Sequence, residues 1–264
     1  MNEVNLKGKT ALVTGSTQGI GLAVAQALAR QGADLALHGL CTVQEGEEQA
    51  ALLSQDWQVR VRFMPADLSN AAEARALVGQ VSAHLGGLDI LVNNAGIQHT
   101  APVESFPLEQ WDAVQAINLR APFLLTQAAV PELRRRGWGR IVNVASVHGL
   151  VGSVHKAAYV AAKHGLVGLT KVVALETATD RITVNAICPG WTETPLIEPQ
   201  IQERAARHGG DRDAGVRDLL AAKQPNLTLL PTALIGEVVA FLCSEAASGI
   251  TGAALPVDGG WTAQ

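Results

Sequence analysis
The sequence predicts a single doubly wound α/β domain on a seven-stranded parallel sheet, with one helical lid insertion. Three observations predict it. Short apolar runs alternate with longer amphipathic ones along the whole chain, the mark of βαβ units. Most of the short runs are nearly all apolar, as strands covered by helices on both faces must be. No linker, internal repeat or composition break divides the 264 residues, so 1–264 reads as one unit.

The elements follow in order. Thr10–Thr14 is a buried-strand run that leads into a glycine-rich turn. Ile20–Gln31 reads as a helix stopped by Gly32, a usual C-cap residue. Asp34–Leu37 and Val59–Phe63 are the next strands, with a helix over Gln44–Ser54 between them. Ala71–Leu85 is a helix that again ends at glycine, and Leu88–Val92 is the fourth strand. Two helices follow, around Leu108–Ile117 and Ala121–Arg135, before a fifth strand at Arg140–Val144. A long helix over Ala157–Thr177 precedes a sixth strand at Ile182–Ile187. Leu196–Gln224 is polar, mostly helical and contains Gly209-Gly210; it interrupts the βα rhythm, as lids over active sites do, although a solvated excursion would read the same way. Thr232–Ser244 is the final helix and Ala253–Val257 the final strand.

Composition excludes several function classes. With 48% hydrophobic and 17% charged residues the chain is not disordered. It is long enough to bury a core without a disulfide or metal staple. A net charge of -4 gives no basic face, so no nucleic-acid partner is expected. The run Arg134-Arg135-Arg136 reads as a solvated complement to a helix C-terminus. Cys41, Cys188 and Cys243 have neither disulfide-framework nor zinc spacing, so no metal site is expected and a reducing, cytoplasmic location fits. Met1–Lys9 lacks the apolar core of a signal peptide, and no run of 18 apolar residues exists, so no membrane span is expected.

The chemistry begins at Thr14-Gly15-Ser16-Thr17-Gln18-Gly19-Ile20-Gly21, between a strand and a helix. Glycines there permit a tight turn and let backbone N–H groups approach a pyrophosphate at a helix N-terminus. The spacing G-x-x-x-G-x-G differs from the commonest dinucleotide fingerprint, and a plain strand–helix turn is its structural alternative. Other strand ends converge on the same crevice: Asp67-Leu68, Asn93-Asn94-Ala95-Gly96, Ser146 and Pro189-Gly190. Tyr159, the only tyrosine, stands four residues before Lys163, on one helix face. A phenol is a poor base at neutral pH; a nearby ammonium and a cationic nicotinamide are expected to lower its pKa. Ser146 would donate to a developing alkoxide or carbonyl oxygen while Tyr159 moves the proton.

Together Thr14–Gly21, Asp67, Asn93–Gly96, Asn118, Ser146, Tyr159-x-x-x-Lys163 and Pro189-Gly190 resemble the short-chain dehydrogenase/reductase family, over essentially the whole chain. The resemblance implies a Rossmann-type fold and a catalytic tetrad of Asn118, Ser146, Tyr159 and Lys163. It also implies a dinucleotide site at Gly15, Thr17, Gln18, Gly19, Ile20, Gly21, Leu40, Asp67, Leu68, Asn94, Ala95, Gly96, Tyr159, Lys163, Pro189, Gly190, Trp191 and Thr194. A narrower likeness, at Asn93–Thr100, Ala145–Gly149, His155–Tyr159, Ile187–Trp191, Lys223–Pro225 and Asp258–Thr262, is to the bacterial D-3-hydroxybutyrate dehydrogenase subfamily. That likeness implies a hydroxy/oxo acid substrate, NAD as cofactor and a homotetramer with the Tyr159 helix and final strand at interfaces. Substrate contacts would fall to Gln98, Ser146, His148, Lys156, Tyr159, Trp191, Gln200 and Trp261. His155 departs from the subfamily pattern, which has Asn there.

The residues support an acid substrate in their own right. A 3-oxo acid carries one negative charge and needs donors beside the tyrosine; Gln98, His148 and Lys156 are all tethered near the motifs. His148 as a backbone-bonding loop residue and Lys156 as a solvated lysine are the bland alternatives. Trp191 and Trp261 either seal the pocket or simply pack. The second strand ends His38-Gly39-Leu40-Cys41, with neither the acid of NAD readers nor the cation of NADP readers, and His38 could contribute weakly to either. A sugar-alcohol or ketoacyl reductase, or a catalytically silent NAD(H) sensor, would share the fold.

Overall fold
The computed structural model describes residues 4–263; the reading of Met1–Lys9 therefore lies partly outside the described residues. The chain runs β1 (Thr10–Val13), α1 (Gly19–Arg30), β2 (Asp34–Leu37), α2 (Val43–Trp57), β3 (Val61–Phe63), α3 (Ala71–Leu85), β4 (Ile90–Asn93), α4 (Leu108–Gln115), α5 (Ala121–Arg136), β5 (Gly139–Val144), α6 (Ala157–Glu176), β6 (Ile182–Pro189), α7 (Glu198–Ala206), α8 (Arg212–Ala221), α9 (Thr232–Cys243) and β7 (Ala254–Val257). The seven strands form one parallel sheet in the order β3-β2-β1-β4-β5-β6-β7. The order reverses between β1 and β4, and ligands of open α/β sheets bind outside the strand ends at such a point.

Alternation of side chains along each strand divides the core into two layers. Ala11, Val13, Leu35, Leu37 and Val142 face α1 and α9, meeting Val24, Leu28, Ile235 and Val239. Leu12, Ala36, Leu91 and Ile141 face the other way, onto Leu77 and Val81 of α3 and Leu124 and Leu133 of α5. Each layer excludes water from one whole sheet face, which is why both strand faces had to be apolar. β3 and β7 are the edge strands, and Leu255 and Pro256 on β7 are exposed.

Local chemistry sets the helix limits. Thr42 Oγ1 accepts from Glu45 N (3.2 Å) while Thr42 N donates to Glu45 Oε2 (2.9 Å), a capping box that starts α2 one residue before the expected Gln44. Asn70 caps α3, and Gly86 ends it at φ 88°. The expected gap between the helices at 108–135 is instead a π turn, Ala116–Arg120, that joins α4 to α5. Such turns concentrate at functional sites, and this one carries Asn118. The third strand starts two residues late, because Arg60 is drawn into a pair with Asp34.

The arginine run corrects a sequence expectation. Arg134 and Arg135 pair with Asp180 and Glu132 near the surface. Arg136 instead turns inward and grips the buried Asp89 carboxylate through Nε and Nη2, both at 2.8 Å. Asp89 also accepts from Thr10 N (2.9 Å), so this fork ties α5 to the bottom of the sheet.

α6 is, among the described residues, the one helix long and apolar enough by length and composition to cross a bilayer. Half of it is buried in the domain, where Leu166, Thr170 and Val173 pack inward. Its apolarity serves the core.

Candidate active site
The glycine turn after β1 is shaped by two different demands. Gly15 (φ 62°) and Gly19 (φ 56°) occupy left-handed backbone that side chains disfavour. Gly21 is needed for space: a Cβ there would lie 2.0 Å from Gly15 O and 2.4 Å from Asn94 Nδ2. Asn94 closes the turn from β4, donating to Thr14 O (2.8 Å) and Gly15 O (3.0 Å). Thr14 Oγ1 answers by accepting from Asn94 N and Ala95 N. α1 has no side-chain cap at its N-terminus. Its first N–H groups and its dipole are thus free for an anionic group.

These features open on a cavity of about 540 Å³. All the site residues expected from the sequence line it except Gly21, Asn118 and Gln200. Gly21 packs beneath the turn, Asn118 sits behind Gly96, and Gln200 reaches the site through Lys156.

His38 has a role the sequence did not reveal. Gly15 N–H donates to its Nδ1 (3.2 Å), which leaves the ring hydrogen on Nε2 to bond Ala66 O (3.0 Å). Burial lowers its pKa, so the neutral ring ties the glycine turn to the ends of β2 and β3. With both nitrogens committed, it is not free to read a ribose, contrary to the expectation of a weak contribution. Leu40, beside it, is exposed. At this end of the cavity Asp67 is, among the described residues, the one charged lining residue, and its carboxylate accepts from Ser69 N and Oγ.

At the other end, β5 delivers Ser146 and α6 delivers Tyr159 and Lys163. Ser146 Oγ lies 3.2 Å from His148 Nδ1 and also bonds Tyr159. Lys163 Nζ donates to Val144 O (2.7 Å) and stands 5.5 Å from the Tyr159 ring centre. Asn118 is fully buried; it accepts from Ile97 N and donates to Ile97 O, both at 2.9 Å. A Cβ on Gly96 would lie 3.5 Å from Asn118 Oδ1 and 3.7 Å from Lys163 Nζ, so the two side chains flank one glycine.

In the free protein Lys163 alone does not lower the Tyr159 pKa. Burial pushes the phenol up to about 12, opposed only by the Ser146 hydrogen bond. Lys163 does not reverse this, because the same burial depresses its own ammonium to about 8. The free protein therefore holds Tyr159 protonated, ready to give a proton to a carbonyl oxygen. Removing that proton calls for further positive charge beside it.

Lys156 forms the second polar centre. It is 6% exposed, yet its ammonium meets only neutral acceptors, Gln98 Oε1 (3.1 Å) and Gln200 Oε1 (2.9 Å), and the Trp191 ring at 5.0 Å. Among the described residues no carboxylate lies in ion-pair range of it. Desolvation lowers its pKa to about 8. His148 next to it is held neutral, its pKa pressed down to about 3 by burial and then by Lys156. With Nδ1 turned to Ser146, its buried Nε2 has no partner. A buried cation and an unpartnered ring nitrogen beside a phenol–serine pair suit a small anion whose reacting oxygen meets Tyr159.

The His155 departure leaves Lys156 in place. His155 sits at φ 63°, and its carbonyl accepts from Ala101 N (3.0 Å). Asparagine suits left-handed backbone better than histidine does. His155→Asn is expected to stabilise the fold by about 0.5 kcal/mol, read as a higher Tm with an unchanged KM.

The segment expected as a lid, 196–224, folds as a helical hairpin. Gly209 and Gly210, both at positive φ, separate α7 from α8. Ile197, Ile201, Leu219 and Leu220 on its inner face pack on Trp191 and Trp261, whose rings lie 5.4 Å apart at 40°. The ring of Trp261 also stands 5.5 Å from that of His148. Gln224, which the sequence marks only within the Lys223–Pro225 likeness, is fully buried and accepts from Trp191 N (2.8 Å). Among the described residues no group of three His, Cys, Asp or Glu side chains is arranged to hold a metal ion.

The chain is similar to several known proteins. Residues 15–262 match the family model described as enoyl-(acyl carrier protein) reductase. The chain is 50% identical over 259 residues to a D-beta-hydroxybutyrate dehydrogenase of Cupriavidus necator, covering 98% of this chain and 100% of that one. It is 44% identical to a D-beta-hydroxybutyrate dehydrogenase of Rhizobium meliloti, covering 97% and 99%. The solved structure of L-sorbose reductase from Gluconobacter frateurii, complexed with NADPH and L-sorbose, superposes with a TM-score of 0.94 at 31% identity, covering 98% of each chain. These matches show that the chain belongs to the short-chain dehydrogenase/reductase family.

Proposed function
We propose that this oxidoreductase interconverts (R)-3-hydroxybutyrate and acetoacetate with NAD. The observation that carries the reading is Lys156: a buried ammonium with amide oxygens but no counter-ion, next to the phenol–serine pair. A sugar alcohol offers such a cation hydroxyl acceptors but no opposing charge, whereas the carboxylate of a short 3-oxo acid would offset the cost of its burial. The names of the two relatives at 50% and 44% identity point the same way.

The uncapped α1 terminus and glycine turn would hold a dinucleotide's pyrophosphate, and Asp67 and Leu68 would flank its adenine. When bound, the nicotinamide supplies the hydride acceptor or donor. Tyr159 takes the substrate's hydroxyl proton, or returns it to the carbonyl oxygen, while Ser146 donates a hydrogen bond to that oxygen. Gln98, His148 and Lys156 hold the carboxylate, and Trp191 and Trp261 exclude water. NAD is favoured because, among the described residues, no Arg or Lys lines the cavity at the β2 end to meet a 2′-phosphate.

The test follows NADH or NADPH formation at 340 nm with NAD or NADP and each enantiomer of 3-hydroxybutyrate, with a sugar alcohol as control. Turnover of the (R)-acid with NAD is the expected result. Activity on a neutral alcohol alone would keep Ser146 and Tyr159 and sink the carboxylate role of Lys156. The exposed Val172 and Leu175 of α6 and Leu255 of β7 support assembly as a homotetramer, which light scattering tests. The three unpaired cysteines agree with a cytoplasmic setting.

A further inference from the structure
Gln224 is wholly buried, although Pro225, Asn226, Leu227 and Thr228 after it are exposed. Its amide is fully engaged. Oε1 accepts from Trp191 N (2.8 Å), and Nε2 donates to Asn226 Oδ1 (3.1 Å) and to Thr228 O. A neutral amide taken this far from water costs stability unless every bond is made. The bonds join the two ends of the lid: Trp191 precedes it and residues 224–228 follow it. A parallel bridge between Thr192 and Leu230 runs alongside, with Leu230 N donating to Trp191 O (2.9 Å).

The chain of contacts continues to the second indole. Asn226 N donates to Gly259 O (3.1 Å). Asp258 Oδ2 accepts from Thr262 N (2.8 Å) and Thr262 Oγ1 (2.6 Å), and Oδ1 from Gly260 N (3.0 Å), which fixes the turn carrying Trp261. The joint is tight: a Cβ on Gly190 would lie 2.6 Å from Gln224 Oε1 and 2.9 Å from Asp258 Cα. Lid, Trp191 and Trp261 therefore share one anchor.

We infer that Gln224 is a positioning residue of the substrate pocket: its amide locks the backbone of Trp191 to the returning end of the lid, so that the Trp191–Trp261 wall and the lid hold one register over the substrate. The inference rests on the hydroxy-acid reading for its kinetic consequence, but its structural content does not. Gln224 touches neither the glycine turn nor the adenosine end of the cavity; it meets the expected dinucleotide site at Gly190 and Trp191, so most of the cofactor's contacts should not depend on it.

The test is Gln224→Met, which keeps the length and removes every hydrogen bond. The expected result is a KM for (R)-3-hydroxybutyrate raised about tenfold, with the NADH Kd within about twofold of wild type. In protein labelled with 5-fluorotryptophan, the signals of Trp191 and Trp261 should shift while those of Trp57, Trp111 and Trp138 stay put. If Gln224→Met does not fold, Gln224→Glu, which keeps the acceptor for Trp191 and loses both donors, takes the same measurements with the same expectation. Unchanged KM and fluorine signals would overturn the inference. So would a parallel loss of kcat and NADH affinity with no movement of those two signals, which marks a merely structural residue. If wild type turns over no hydroxy acid, the proposed function fails; the fluorine signals still decide the role of Gln224.

Discussion

Tyr159→Phe is expected to lower kcat about a thousandfold while NADH binds as tightly as to wild type. The substitution removes one oxygen from a ring that is 7% exposed and packed against Val114, Ala158 and Ala162, so the pocket keeps its shape. What disappears is the one group placed to exchange a proton with the reacting oxygen. Ser146 remains, but its hydroxyl is already shared with His148, and a serine does not ionise in this range. The measurement pairs steady-state turnover with NADH fluorescence titration. A variant that keeps more than about a tenth of wild-type kcat would show that the proton passes by another route. Loss of NADH binding along with turnover would show that the hydroxyl holds the cofactor rather than serving the chemistry.

Lys156→Ala is expected to raise the KM for acetoacetate about a hundredfold with a much smaller change in kcat. The ammonium supplies a full positive charge for the carboxylate, whereas His148 is held neutral. Its pKa of about 8 adds a pH signature. Below pH 8 the lysine is charged and holds an anion; above it the free protein carries a neutral amine. The Ki of an unreactive short carboxylate such as propionate should therefore be flat below pH 8 and climb about tenfold per unit above it. Lys163 also titrates near 8 and would blur a kcat/KM profile, so an inhibition constant is the cleaner measure. In Lys156→Ala the climb should vanish. If it persists, the alkaline limb belongs to another group and the carboxylate role of Lys156 is wrong.

The layers and most of the site were legible in the sequence for a local reason. A strand buried on both faces must be apolar throughout, and a helix on a sheet must show its own period, so element order can be read along the chain. The pairing of Tyr159 with Lys163 follows from one helical turn, and Gly15 and Gly19 from the left-handed backbone of the turn they form. The sequence by itself thus determined the architecture, the crevice and the residue types that line it.

Only the tertiary structure decided how those residues behave. Lys156 gains its neutral partners from Gln98 and Gln200, 58 and 44 positions away. Gln224 reaches Trp191 across 33 positions, and Arg136 reaches Asp89 across 47. The rise of the Tyr159 pKa and the fall at Lys163 both come from burial. The physical reason is common to all of them. Helix and strand periods are set by backbone bonds between near neighbours, whereas desolvation and hydrogen-bond partnership depend on which distant segments the packed core brings together.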